Sequence, residues 1–166
     1  MITLIRAGTI EDIASVQEIA YVSWHDTYEG IIPSPVQKSF LDKSYSTSMM
    51  EMRINRTIVL LAMHEDEPIG FANFTKLDED GDAELIAIYL KPQYQRNGYG
   101  KQLLNSGLSY LIEGSQLFVY VESENTKGRN FYEANGFEFV EEFEELFEGH
   151  PLRTAKYVYD LKTPAL

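Results

Sequence analysis

The chain has 166 residues, 44% of them apolar, which is material for one hydrophobic core and too much for a disordered segment. Its 14 basic against 26 acidic residues give a formal charge of −12, which argues against nucleic acid as a partner because phosphate binding needs a basic face. Cysteine is absent, so disulfides, thiolate metal sites and a cysteine nucleophile are excluded.

No apolar run is long enough to span a bilayer, and no basic segment followed by an apolar stretch opens the chain. The expectation is a cytoplasmic protein without membrane attachment. Repeats, low-complexity tracts and linker-like Gly/Ser stretches are missing too, so a single domain over residues 1–166 is expected. The acidic excess keeps such a protein soluble and would also draw a cationic substrate.

Ile2–Ala7 reads as a first strand. Thr9, ahead of Glu11 and Asp12, is a candidate N-cap, and Ile13, Val16, Ile19, Ala20 and Trp24 recur at helical spacing to about Tyr28. Gly30 and Pro33 stop that helix. Ser34-Pro35 opens a short helix to about Leu41, and Ser46 caps another through about Asn55. Thr57–His64 and Pro68–Leu77 read as a hairpin around Glu65-Asp66-Glu67. Ala83–Leu90 follows as a strand, with Leu85, Ala87 and Tyr89 expected to face opposite Glu84, Ile86 and Ile88. Asn97–Ile112 reads as a helix, Leu117–Glu122 as a strand, and Asn125 caps a helix ending at Asn135-Gly136. Phe137–Phe147 and Arg153–Lys162 complete the chain. Within Phe137–Phe147 the apolar residues fit a helical stripe better than alternation, so periodicity alone leaves that segment undecided.

The turn Gln95-Arg96-Asn97-Gly98-Tyr99-Gly100 joins a strand to a helix. Helix starts carry unpaired N–H donors and positive partial charge, which suits a diphosphate. Gly98 and Gly100 would let the backbone approach the anion, and Arg96 and Lys101 would add charge. A dinucleotide fingerprint would need glycine where Leu103 stands. A P-loop would need glycine at Gln95 and Ser or Thr at Gln102.

Leu90–Leu104, with its Q-x-x-G-x-G core, resembles the acetyl-CoA-binding motif of the GNAT N-acetyltransferase superfamily. Asn125–Phe137 is similar to that family's N-x-x-x-x-x-F-Y-x-x-x-G-F segment, in the same order and at a matching separation. The resemblance implies an α/β (α+β) fold: a mixed, twisted, mostly antiparallel sheet with helices on both faces and a central split. It makes Phe137–Phe147 a strand. It implies an acetyl-CoA-dependent transfer to a primary amine, of a polyamine or of a peptide, by direct attack in a ternary complex. Acetyl-CoA is the cosubstrate and no metal is called for. A homodimer is compatible with the resemblance.

Residue by residue, the resemblance places pantetheine along Ile88, Tyr89 and Leu90, an extended ligand lying on a strand's backbone. One of those N–H groups would stabilise oxyanion charge. It places the pyrophosphate on Gln95, Arg96, Asn97, Gly98, Tyr99, Gly100 and Lys101. Tyr132 takes the role of acid toward the departing sulfur. Asn125, Arg129 and Tyr132 share one helix face by spacing, with Asn125 and Arg129 beside the cofactor. Glu84 is the candidate base, acting through water; a solvated strand glutamate, with ordered water alone as base, is the other reading.

Trp24-His25-Asp26-Thr27-Tyr28-Glu29-Gly30-Ile31-Ile32-Pro33 resembles a segment of small bacterial-type members, some of which acetylate polyamines. Trp24 and Tyr28 could line a pocket for a cationic amine or pack in the core. The six glutamates of Glu138–Glu148 read as a solvated strand face, with attraction for a polyamine or a basic peptide end as the other reading. The three histidines show no metal-ligand spacing. A CoA-binding module without activity would keep the glycine turn and have no need of the Tyr132 hydroxyl.

Overall fold

A computed structural model describes residues 3–162. Its elements in chain order are β1 (Thr3–Ala7), α1 (Ile13–Tyr28), α2 (Ser34–Ser44), α3 (Thr47–Arg56), β2 (Ile58–His64), β3 (Glu67–Phe74), β4 (Asp82–Leu90), α4 (Tyr99–Leu108), β5 (Gln116–Glu122), α5 (Thr126–Ala134), β6 (Glu138–Phe147) and β7 (His150–Asp160). Ile2, expected to open the first strand, lies outside the described residues.

The caps read from the sequence act as expected at two helices. Met49 N–H donates to Ser46 Oγ at the start of α3, and Gly128 N–H donates to Asn125 Oδ1 at the start of α5. Thr9 instead caps a 3-10 turn, Ile10–Asp12, that leads into α1. The Asp12 carboxylate there accepts from Thr9 N–H and from both terminal nitrogens of Arg6, each at 2.8 Å.

The strands form one seven-stranded sheet in the order β1-β2-β3-β4-β5-β7-β6. Every neighbouring pair is antiparallel except β4–β5. Helices cover both faces. Leu103, Leu104 and Leu111 pack with Leu60, Phe74, Leu117 and Tyr157 on the α4–α5 face. Val16, Ile19, Trp24 and Leu41 pack with Leu61 and Phe71 on the α1–α2–α3 face. Burying each such side chain contributes roughly 1.5–3 kcal/mol, so the two faces together hold the sheet in place.

Two β-bulges correct the expected facing of side chains. In β4, Asn73 pairs with Ala87 and Phe74 with Leu85, leaving Ile86 as the extra residue. Leu85 therefore packs on the α4–α5 face, whereas Ala87 and Tyr89 pack on the α1 face. The expectation that these three share a face fails because it assumed an unbroken period of two. In β6 the extra residue is Val140, between the pairs Phe139–Tyr157 and Glu141–Lys156. That bulge explains why an ordinary edge strand carries an apolar pattern resembling a helical stripe.

Candidate active site

The parallel pair β4–β5 is joined only at Asp82–Gln116, Ala83–Leu117 and Glu84–Phe118. Beyond Glu84 the strands part, and the β4 edge from Leu85 to Leu90 has no strand beside it on that side. A cleft of about 680 Å³ occupies the gap, lined by Ile88, Tyr89 and Leu90 from β4 and by Val119 to Val121 from β5. An exposed strand edge offers an extended ligand a row of backbone hydrogen-bond partners.

The β4–α4 turn closes one end of the cleft. Its geometry depends on two left-handed residues, Arg96 at φ 67° and Gly98 at φ 83°. The non-glycine Arg96 in that region carries strain of about 1–3 kcal/mol, the kind that persists at ligand-binding turns. The first backbone bond of α4 runs from Gln102 N–H to Gly98 O, so the preceding amides lack a helical acceptor. A side chain on Gly98 would meet no neighbour, and the residue belongs to the cleft lining. Gly100 has a second reason to be glycine: a Cβ there would stand 3.0 Å from the Phe131 ring of α5.

Gln95, Arg96, Gly98, Gly100 and Lys101 line the cleft. Asn97 and Tyr99 do not; Tyr99 is buried in the core beneath the turn. Lys127, which the sequence reading passed over, joins the lining from the first turn of α5. Its position two residues after the capping Asn125 was the available signal. Arg96, Lys101 and Lys127 form no ion pair among the described residues, although the chain as a whole is acidic. Three unpaired cations around amides at a helix start fit a diphosphate.

Helix α5 forms the opposite wall. Asn125 and Tyr132 line the cleft, but Arg129 does not share their task. Its guanidinium is tied to Tyr157 Oη at 2.9 Å, Ser123 O at 3.2 Å and Glu142 Oε1 at 2.9 Å. Those bonds brace α5 against β6 and β7. Spacing alone had grouped Arg129 with Asn125 and Tyr132, and tertiary partners separate it from them.

Tyrosines crowd the cleft floor. Tyr132 is 8% exposed and packs edge-on against Phe131 and Phe137. Burial, reinforced by the nearby Tyr28 hydroxyl, pushes its phenol far above the ordinary value. Burial likewise pushes Tyr28 up to about 12 and Tyr89 well up. All three therefore stand as neutral hydroxyls at physiological pH. Asn125 Nδ2 donates to Tyr28 Oη at 3.5 Å, joining α1 to α5 across the split.

Trp24 stays behind this layer. It stacks on Phe40 at 4.5 Å and on Phe147 at 5.8 Å, outside the cleft lining, so only Tyr28 of the expected aromatic pair reaches the cleft. Glu84 is half-buried on the face of Ala87 and Tyr89, below the point where β4 and β5 part, and it does not line the cleft either. Burial raises its carboxyl above the usual range. Glu122, at the end of β5, is a second buried carboxylate, 8% exposed. Its signal in the sequence was a charge continuing the alternate row of Phe118 and Tyr120.

A turn of free amides and unpaired cations at the start of α4, an open β4 edge and tyrosine hydroxyls at the floor meet in one cleft, an arrangement that suits an extended ligand carrying phosphate. The profile of the acetyltransferase (GNAT) family matches residues 19–137, and the chain belongs to that family. The spermidine N(1)-acetyltransferase of Thermoplasma acidophilum is 32% identical over 141 residues, 80% of this chain and 86% of that protein. The uncharacterized N-acetyltransferase YuaI of Bacillus subtilis is 35% identical over 149 residues, covering 83% and 82% of the two chains. The crystal structure of the PaiA N-acetyltransferase of T. acidophilum in complex with coenzyme A superposes with a TM-score of 0.82 at 28% identity, over 96% of this chain and 99% of that one. The chain is thus an enzyme of the N-acetyltransferase class.

Proposed function

We propose that the protein transfers the acetyl group of acetyl-CoA to a primary amine of a small cationic acceptor, of the polyamine class, by direct attack in a ternary complex. The observation that carries this reading is the gap between β4 and β5, with unpaired cations at one end and a floor of neutral tyrosine hydroxyls. The acidic chain favours a cationic acceptor over an anionic one. The similarity to a spermidine acetyltransferase supports the polyamine class.

In this reading Gln95 to Lys101, with Lys127, hold the diphosphate, and the β4 edge at Ile88, Tyr89 and Leu90 holds the pantetheine arm. The amine nitrogen attacks the thioester carbonyl carbon; the N–C bond forms and the C–S bond breaks, the electron pair leaving on sulfur. Glu84 takes the amine proton through water, and its raised pKa makes it a stronger base than an exposed glutamate. A backbone N–H of the β4 edge donates to the carbonyl oxygen as negative charge develops there. Tyr132 gives the sulfur a proton. Its raised pKa does not forbid this, because the burial that disfavours a phenolate disfavours a thiolate in the same cleft.

The test is free-thiol release from acetyl-CoA with purified protein against polyamines, amino acids and peptide N-termini. Polyamines are expected to give the highest kcat/KM. Turnover confined to peptide N-termini would overturn the acceptor class, and none with any amine would overturn the reaction.

A further inference from the structure

Glu122 has no part in the chemistry above, yet it is among the few buried carboxylates of the chain. Alternation from the core residues Val119 and Val121 turns it to the face of Tyr120, the α1 side of the sheet and the side opposite α5. Glu122 itself stands just behind the cleft lining, but its neighbours Tyr120, Val121 and Asn125 all belong to it. Its Oε2 accepts from Glu124 N–H at 2.6 Å, and its backbone carbonyl accepts from Asn125 N–H at 3.0 Å.

No Lys or Arg pairs with it among the described residues. Arg129 is held by Tyr157, Ser123 and Glu142, as described above. Lys156, on the same face, sits 4.5 Å from the Phe118 ring centre and 5.9 Å from that of Tyr120. A carboxylate taken out of water without a cation is costly, and the usual remedy is a partner charge. Burial raises its pKa, and the Glu124 and Asn125 amides and the more distant Arg129 offset that only in part. Asn125, which donates its N–H to the Glu122 carbonyl, also donates its Nδ2 to Tyr28 Oη, so Glu122 stands one residue away from the tyrosine floor.

The reacting amine must be neutral to attack, so it is not the charge that Glu122 awaits. We propose that Glu122 is a specificity residue that holds a second, non-reacting ammonium of a diamine or polyamine while the first amine meets the thioester beside Tyr132. This rests on the amine-acetyltransferase reading and adds to it a requirement for two nitrogens in one acceptor.

The experiment compares wild type, Glu122→Gln and Glu122→Asp in steady-state thiol release, using a linear α,ω-diamine and a monoamine of equal chain length. Glu122→Gln preserves volume and an acceptor for Glu124 N–H. It is expected to raise KM for the diamine by about tenfold or more, the scale of a charge-assisted hydrogen bond. The monoamine KM, the acetyl-CoA KM and kcat are expected to stay within about twofold. Glu122→Asp, with its charge one methylene further back, is expected to fall between the two, and it decides the matter if Glu122→Gln does not fold. A merely structural residue would shift both amines alike. An unchanged ratio of diamine to monoamine KM therefore overturns the proposal while leaving the transfer reaction standing. Wild-type protein that turns over neither amine overturns the underlying reading instead.

Discussion

The side-chain amide of Asn125 meets the hydroxyl of Tyr28 at 3.5 Å, across 97 residues of chain. The same side chain caps α5 through its Oδ1, so one residue sets both the start of the helix carrying Tyr132 and the position of a floor hydroxyl. Asn125→Ala is expected to lower stability by about 1 kcal/mol, the usual loss of an N-cap. It should also lower kcat/KM for the amine by more than that instability explains. Urea unfolding alongside thiol-release kinetics separates the two effects; a variant with normal kinetics would show the Tyr28 contact to be idle.

Tyr132→Phe removes one hydroxyl and little else from a buried site. A general acid typically supplies about 10²-fold or more, so kcat should fall by that order while the acetyl-CoA KM stays within about twofold. Because burial holds the phenol protonated to high pH, the loss should be uniform across neutral pH. Equal turnover in variant and wild type would assign the acid to water, and no turnover in either would point to a CoA-binding module.

Glu84 is expected to govern the acidic limb of the kcat/KM profile. As a base it acts only when ionised, and its raised pKa places that limb above the usual glutamate range. Glu84→Gln should flatten the limb and lower the plateau. Stability should respond with the opposite sign. A carboxyl whose folded pKa is raised contributes stability at low pH that is lost as pH rises through that value. Denaturation of the variant should lack this decline. An acidic limb retained in Glu84→Gln would assign the base to ordered water or another group.

Gly98→Val should weaken coenzyme A binding by about tenfold or more, by placing a branched side chain at a left-handed residue of the cleft lining. The backbone strain alone is about 1–2 kcal/mol. Calorimetric titration with coenzyme A reads this directly. Unchanged affinity would move the diphosphate away from α4.

Far from the cleft, Asp12 sits 8% exposed between Arg6 and the Thr9 amide, and the Arg6 guanidinium holds its carboxyl down at about 2. A depressed folded pKa contributes stability present above the unfolded value and lost as pH falls toward 2. Arg6 is partly exposed to solvent, which screens the pair, so Asp12→Asn is expected to cost about 1–2 kcal/mol at neutral pH. Urea midpoints for the two proteins should converge near pH 2. A constant gap across pH would mean that packing, not charge, sets the loss.

The features legible in the residue order were those governed by near neighbours. The caps at Ser46 and Asn125, the stops after Tyr28 and at Asn135-Gly136, and the turn at Gly98 each follow from hydrogen bonds and dihedrals within a few residues. The two motif blocks, by resemblance, put Tyr132 and the Gly98 turn at one cleft, and both line it. Other features depended on partners distant in the chain. The bulge at Ile86 exists only through the register between β3 and β4, and it turns Ala87 and Tyr89 away from Leu85 with no local mark in the strand. Arg129 was separated from the cleft by Tyr157 and Glu142, and Trp24 was drawn behind the floor by Phe40 and Phe147. Glu122 became notable only once folding had buried it and left it without a cation. Short-range conformational preference is written residue by residue, whereas cross-strand register and the pairing of buried charges are settled only when distant segments compete for the same space.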